Sequence, residues 1–251
     1  MPFFRSHSRQ LFYRETGTGP LLLILPGNTA SSAWHQGELQ HFGRHYHAVS
    51  LDFWGTGQSD RIPVWPDDWW EQGTHDAAEL VRHLGTSQAI VMGTSGGAIV
   101  ALLAAILHPE QVRAVIADST VEVFPAPVLS WEIRERSRQT DGQVGFWKRA
   151  HGEDWEQVIE ADSDFLLRFE QAGGDCFRGR LQEIQCPVLL SGSLGDESLP
   201  DGEAQMRRMA EQLADCRLFL APRGSHPLMW SRAEEFRRQA DSFLAGLVIG
   251  E

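Results

Sequence analysis

The sequence predicts an α/β fold with a mostly parallel central sheet, helices on both faces and a helical segment inserted late in the chain. Three observations point there. Short apolar runs alternate with longer helical patterns between residues 21 and 117, and strand, helix, strand order indicates parallel pairing. Residues 89–107 (AIVMGTSGGAIVALLAAIL) place a glycine-flanked serine between two apolar runs, so a buried strand must turn into a buried helix within a few residues. The rhythm then fails over residues 124–180, which are rich in charge and tryptophan, and resumes at Pro187.

Residues 10–16 (QLFYRET) alternate as a strand with one wet face does, and Gly17-Thr18-Gly19-Pro20 makes a turn after them. Residues 21–25 (LLLIL) read as a strand buried on both faces, leaving the sheet at Pro26-Gly27-Asn28-Thr29. A helix over residues 32–42 and a strand over residues 47–53 follow, the latter closed by Trp54-Gly55-Thr56-Gly57. Pro63 and Pro66 delay the next helix to residues 67–84, with Asp67 or Asp68 as its cap and Gly85 as its stop. The strand of the serine stretch comes next, then a helix over residues 96–107 that is apolar all round and therefore expected to be buried. A strand covers residues 112–117. Beyond the insertion, the pattern predicts a strand at 187–191, a helix at 203–213, a strand at 217–221 and a closing helix at 232–247.

A length of 251 residues suits one α/β domain, with a core of residues 1–123 and 181–251 and a helical cap at 124–180. Apolar residues at 42% and charged residues at 22% are ordinary for a globular chain. With 34 acidic against 22 basic residues the formal charge is −12, which disfavours a nucleic-acid partner. The start MPFFRSHSRQ has no apolar signal segment, and no later stretch supplies the ~18 apolar residues of a membrane span, so a cytoplasmic protein without a membrane partner is expected. Cys176, Cys186 and Cys216 are odd in number and lack C-x-x-C spacing, so neither a disulfide framework nor a zinc knuckle is signalled. His41, His45 and His47 have no carboxylate at ligand spacing and read as solvated rather than metal-binding. Gly55-Thr56-Gly57-Gln58-Ser59-Asp60 lacks the third glycine of a dinucleotide loop, and Pro63 blocks the helix that would receive a pyrophosphate. No segment carries an interface pattern that would set an oligomeric state.

In an open parallel sheet, reactive side chains gather in the loops at the carboxyl ends of strands. Three such loops carry Ser95, Asp196 and His226. Gly93-Thr94-Ser95-Gly96-Gly97 fits G-x-S-x-G, in which the turning serine is strained and its neighbours must lack bulk. A serine hydroxyl is a poor nucleophile unaided. His226 would take its proton, and Asp196 would orient the ring and stabilise the imidazolium. Asp118, ending an earlier strand, is the rival acid, and Glu197 lies beside Asp196.

The order Ser, Asp, His matches the α/β-hydrolase arrangement. The chain resembles an α/β-hydrolase-fold serine hydrolase over nearly its whole length, through Pro26-Gly27-Asn28, Asp52-Phe53-Trp54-Gly55-Thr56-Gly57-Gln58-Ser59, Gly93 to Gly97, Asp196 and Gly224-Ser225-His226. Within that family it is most similar to lidded single-domain enzymes, including the valacyclovirase-like (biphenyl hydrolase-like) branch. That branch places an aspartate directly after the nucleophile to favour amino-acid esters, whereas this chain has Gly96.

The resemblance implies an oxyanion hole formed by the backbone N–H groups of Gly96 and Asn28, with the Asn28 carboxamide as a possible further donor; Pro26 stands where the family usually has histidine. Trp131, Trp147 and Trp155 in the cap, and Trp230 beyond His226, are candidates to line an apolar acyl pocket, though tryptophans more often serve packing. The six acids of residues 153–164 read as a solvated helix face. The activity implied is cleavage of a carboxylic ester or related acyl bond of a small molecule through an acyl-enzyme on Ser95, without metal or organic cofactor. The same three residues also suit carbon-carbon bond, lactone or thioester hydrolysis and cofactor-free perhydrolysis. A non-catalytic ligand-binding member of the fold is the alternative from another class, against which the complete triad weighs.

Overall fold

The strands of the computed structural model are β1 (Phe3–Ser6), β2 (Arg9–Thr16), β3 (Leu21–Leu25), β4 (His47–Leu51), β5 (Ala89–Thr94), β6 (Val112–Asp118), β7 (Val188–Ser193) and β8 (Cys216–Ala221). The structure describes residues 2–247, so the first residue and the last four of the expected core segments lie outside the described residues. The strands form one sheet in the order β1-β2-β4-β3-β5-β6-β7-β8. The β1-β2 and β2-β4 pairs are antiparallel and the remainder are parallel.

Alternate residues of the buried strands face opposite layers, as the two-residue period of a strand requires. Leu21, Leu23, Leu25, Val91, Val115 and Leu190 point to one side. They pack there against α2 (Trp69–His83) and α3 (Gly96–Leu107). Leu22, Ile24, Ile90, Met92, Ile116 and Leu189 point to the other. They meet α1 (Gln36–Phe42) and the closing helix, which is numbered α9 (Ala233–Gly246). Full burial of such a side chain contributes about 1.5–3 kcal/mol.

Between β6 and β7 lie α4 (Val128–Arg136), α5 (Asp141–His151) and α6 (Trp155–Gln171); α7 (Gly202–Gln212) and the short α8 (Leu228–Ser231) complete the chain. Val158, Ala161, Phe165 and Leu166 of α6 bury their side chains in the same cluster as α2 and α3, so the inserted helices are seated on the main core. A smaller cluster of Trp147, Trp155 and Ile159 joins α5 to α6, its two indoles stacked with centroids 5.3 Å apart.

Several elements differ from expectation. β1 is an additional strand, joined to β2 through His7, which takes the left-handed conformation at φ 54° without any glycine, proline or asparagine to mark the turn. The segment expected as one helix over 32–42 is a 3-10 turn (Ser32–Trp34) followed by α1, divided at His35, whose buried ring bonds Ser50 Oγ at 2.9 Å. Asp68 is the N-cap of α2, but its carboxylate accepts from the Gln72 side chain rather than from the first turn. Cys176, Cys186 and Cys216 are free, His41 faces Asp241, and His47 faces Glu15. Among the described residues no helix is long and apolar enough to cross a membrane.

The start of α3 packs backbone against backbone on the end of β3. A methyl group on Gly97 would overlap the carbonyl groups of Leu25 and Pro26, whereas one on Gly145, in the exposed middle of α5, would meet nothing within 4 Å. Gly97→Ala is therefore expected to destabilise the protein by about 2–3 kcal/mol. Gly145→Ala should stabilise it by roughly 0.5–1 kcal/mol. Urea denaturation of the two variants checks this, and a Gly97→Ala midpoint equal to wild type would contradict the packing described.

Candidate active site

In the sheet order, β3 leads to β4 on one side while β5 lies on the other, so the chain leaves in opposite directions at the carboxyl ends of β3 and β5. Such a switch point opens a crevice in which loops converge. The β3 loop brings Asn28 there and the β5–α3 turn brings Ser95.

Ser95 sits at φ 55°, ψ −125°, a conformation that costs a non-glycine residue on the order of 1–3 kcal/mol. The turn is over-determined. Ser95 N–H donates to the Asp118 carbonyl at 2.8 Å, and the Ser95 carbonyl accepts from Ala98 and Ile99 at 2.9 and 3.3 Å. A side chain on Gly93 would strike the Gly97 carbonyl. The strain lifts the Ser95 hydroxyl clear of the sheet and aims the amino terminus of the buried helix α3 at the same space.

The β7 and β8 loops complete the arrangement. His226 Nε2 lies 2.9 Å from Ser95 Oγ, and His226 Nδ1 lies 2.9 and 3.1 Å from the two carboxylate oxygens of Asp196. The Asp196 side chain is 2% exposed, and its Oδ1 also accepts from Ser198 N–H at 3.0 Å. Burial works to lower the His226 pKa, but the hydrogen bond and charge of Asp196, helped by Glu132 and Asp118, outweigh it and raise the value above the usual 6.5. Glu197 is turned outward and accepts from the His226 backbone N–H at 3.3 Å.

Asp118 is elsewhere engaged. It accepts from Ser191 Oγ at 2.7 Å, Thr94 Oγ1 at 3.1 Å and Met229 N–H at 2.9 Å, tying β5, β6, β7 and α8 together beneath the site. Full burial pushes its carboxyl up to about 6 against those hydrogen bonds. The carboxylate touching His226 is thus that of Asp196.

Asn28 and Gly96 line the same cavity as Ser95, and among the described residues their backbone N–H groups donate to no protein acceptor. The Asn28 side chain departs from expectation: its amide donates to Asp162 Oδ1 at 2.5 Å and its oxygen accepts from Trp70 Nε1 at 3.1 Å. The carboxamide is therefore clamped as a structural bridge rather than held free as a donor. Its oxygen also occupies the space that a Cβ at position 96 would need, so any larger residue there requires the Asn28 carboxamide to turn out of its present hydrogen bonds.

A cavity of about 40 Å³ above Ser95 is lined by Trp70, Ile99, Phe124, Leu129 and Leu166, with Glu132 and Arg136 on one wall. It adjoins a groove of about 320 Å³ between Val128 and Trp131 on one side and Leu199 and Pro200 on the other. Of the four tryptophans expected at the pocket, only Trp131 comes near, as an exposed wall of that groove. Trp147 and Trp155 are consumed by their own stack, and Trp230 packs with Trp34, His35 and Phe146. Trp70 and Phe124 take their place.

The acids of residues 153–164 are not all solvated. Asp162 lies on the inward stripe of α6 with its side chain 0% exposed, between Asn28 and Arg136 Nη1 at 2.5 Å, and Arg136 Nη2 reaches Glu132 at 2.8 Å. Sequence reading missed Asp162, Arg136 and Trp70. The available signal for Asp162 was its four-residue spacing from the apolar Val158 on the face that buries Phe165 and Leu166.

A family profile described as alpha/beta hydrolase fold matches residues 20–143. The chain is similar to serine hydrolase BPHL of Homo sapiens, at 29% identity over 244 residues covering 94% of this chain and 83% of that one. Among solved structures, a hydrolase from Pseudomonas aeruginosa PA01 has a TM-score of 0.77 at 19% identity, covering 97% of this chain and 98% of that one. The enol-lactonase from Burkholderia xenovorans LB400 has a TM-score of 0.76 at 18% identity, covering 97% and 100%. The chain has the α/β-hydrolase fold.

Proposed function

We propose that the protein is a serine hydrolase that cleaves a carboxylic ester or related acyl bond of a small molecule through an acyl-enzyme on Ser95. The observation that carries this reading is the unbroken Ser95–His226–Asp196 chain, 2.9 Å at each step, at a cavity also lined by Asn28 and Gly96, whose backbone N–H groups have no protein acceptor among the described residues. The similarity to serine hydrolase BPHL supports it.

In this mechanism Ser95 Oγ attacks the carbonyl carbon while His226 Nε2 takes the hydroxyl proton. The carbonyl oxygen gains negative charge facing the N–H groups of Asn28 and Gly96, where each donor contributes about 3 kcal/mol of barrier lowering. The imidazolium, stabilised by Asp196, passes its proton to the departing alkoxide, and the carbon-oxygen bond breaks. A water molecule then attacks the acyl-enzyme, giving one proton to His226, and Ser95 leaves with that proton as the carboxylic acid forms. The inserted helices cover the reacting centre as a lid. With so little room directly above Ser95, one part of the substrate extends into the groove beside Trp131. Gly96 removes the carboxylate that would select an α-amino ester beside the nucleophile.

A fluorophosphonate probe is expected to label the wild-type protein and not Ser95→Ala, and Ser95→Ala should lose at least about 10³-fold in ester hydrolysis. Absence of wild-type labelling and of turnover across p-nitrophenyl esters, thioesters and lactones would favour a non-catalytic ligand-binding protein.

The reading also sets a pH dependence. Only neutral His226 accepts the serine proton, so kcat/KM falls as pH drops through its pKa, which lies above 6.5. Asp196→Asn is expected to move that limb to lower pH and to reduce kcat by about 10³–10⁴-fold. A limb that stays in place in Asp196→Asn would assign the acid role elsewhere.

A further inference from the structure

The loop that would supply the Asn28 oxyanion donor is held largely by the inserted helices. Three contacts do this. The Asn28 carboxamide donates to Asp162 on α6 at 2.5 Å. The Thr29 carbonyl, on a residue at φ 60°, accepts from His151 Nε2 at 3.0 Å. Ser31 Oγ donates to the Ala150 carbonyl at 2.8 Å. From the core side, Trp70 Nε1 bonds Asn28 Oδ1 at 3.1 Å, and the loop closes on itself through one turn, Ala30 N–H to the Gly27 carbonyl at 3.1 Å.

The clamping groups are themselves fixed. His151 is buried and neutral, with burial lowering its pKa to about 4, and its Nδ1 accepts from Gly57 N–H at 3.0 Å. That bond defines the tautomer in which Nε2 carries the proton offered to Thr29. The ring thus bridges the loops after β3 and β4. Asp162 cannot turn away from Asn28, because its other oxygen is held by Arg136, and Arg136 is held in turn by Glu132. Glu170 accepts from Leu129 and Ser130 N–H at the start of α4 and so anchors the helix that carries both Glu132 and Arg136.

We infer that Asp162 and His151 are positioning residues for the oxyanion hole, so that the Asn28 N–H is aimed at the reacting carbonyl only when the inserted helices are seated on the core. This rests on the acyl-enzyme reading above. An oxyanion donor acts over a narrow range of distance, and a displacement of about 1 Å near a reacting group can cost 10²-fold in rate. Substrate entry that lifts α6 would therefore disable the hole, and reseating would restore it. Hydrolysis is thereby coupled to closure through the Asn28 loop, in addition to whatever contacts the inserted helices make with the substrate.

The test uses the full chain with a p-nitrophenyl ester and the matching thionoester, whose C=S sulfur is a poor acceptor and gains little from the hole. Asp162→Asn preserves volume but cannot accept from both Asn28 and Arg136. It is expected to lower kcat for the oxoester by about 10–100-fold with KM within about twofold, and to lower the oxoester-to-thionoester ratio by the same factor. Asn28→Ala should do likewise, and the double variant should be no worse than the poorer single one, because both break the same link. His151→Phe, which keeps the ring but removes both hydrogen bonds, supplies an arm independent of the Arg136 ion pair if Asp162→Asn does not fold. A wild-type ratio in whichever of these variants folds, or additive losses in the double variant, overturns the inference. A wild-type protein that neither hydrolyses the oxoester nor reacts with fluorophosphonate would instead overturn the acyl-enzyme reading itself.

Discussion

The structure depends on how closely the turn between β5 and α3 approaches the loop after β3. Ser95 holds φ 55° where Gly93 lets the Gly97 carbonyl pass, Gly97 lets the carbonyls of Leu25 and Pro26 approach, and Gly96 leaves room for the Asn28 carboxamide. That contact brings Ser95, Asn28 and Gly96 to one cavity. The burial of α3 on every side follows from the same constraint, since a helix starting this deep in the crevice has no face left for solvent.

Buried carboxylates do the remaining alignment, each in a different way. Asp118 collects hydrogen bonds from three elements and acts as a pin beneath the site. Asp52 accepts from Ser32 and Gln58 N–H at 2.7 and 2.8 Å and holds the loops after β3 and β4 together. Asp162 is compensated by Arg136 and spends its second oxygen on Asn28. Desolvation raises the pKa of all three, so each is tolerated only because several donors converge on it. Asp196 instead shares its charge with His226, the one partner whose protonation the proposed reaction would change.

The parts of this arrangement legible in the sequence were those set by local pattern. LLLIL reads as a doubly buried strand, and Gly-Thr-Ser-Gly-Gly between two apolar runs reads as a tight turn from strand into helix once the partners at later strand ends are counted with it. Loops at strand ends then limited the reactive residues, and the structure brings Ser95, Asp196 and His226 together while leaving Asp118 to the strands. The illegible parts depend on partners distant in sequence. Nothing near Trp147 or Trp155 signals that they satisfy one another, and nothing local to Asp162 says that Arg136 arrives from α4 to neutralise it. The amide of Asn28 could be read as a free donor only while Asp162 was counted among solvated acids. The strand at Phe3–Ser6 went unseen because its hairpin turns at His7, a residue with no turn signature of its own.

The most direct measurement of the central claim is the intact mass of the protein quenched in acid during turnover of an activated ester, followed by peptide mapping. A mass increase equal to the acyl group, confined to the peptide containing Ser95 and absent from Ser95→Ala, is the predicted result. An adduct on another residue, or hydrolysis that persists in Ser95→Ala, would contradict the account.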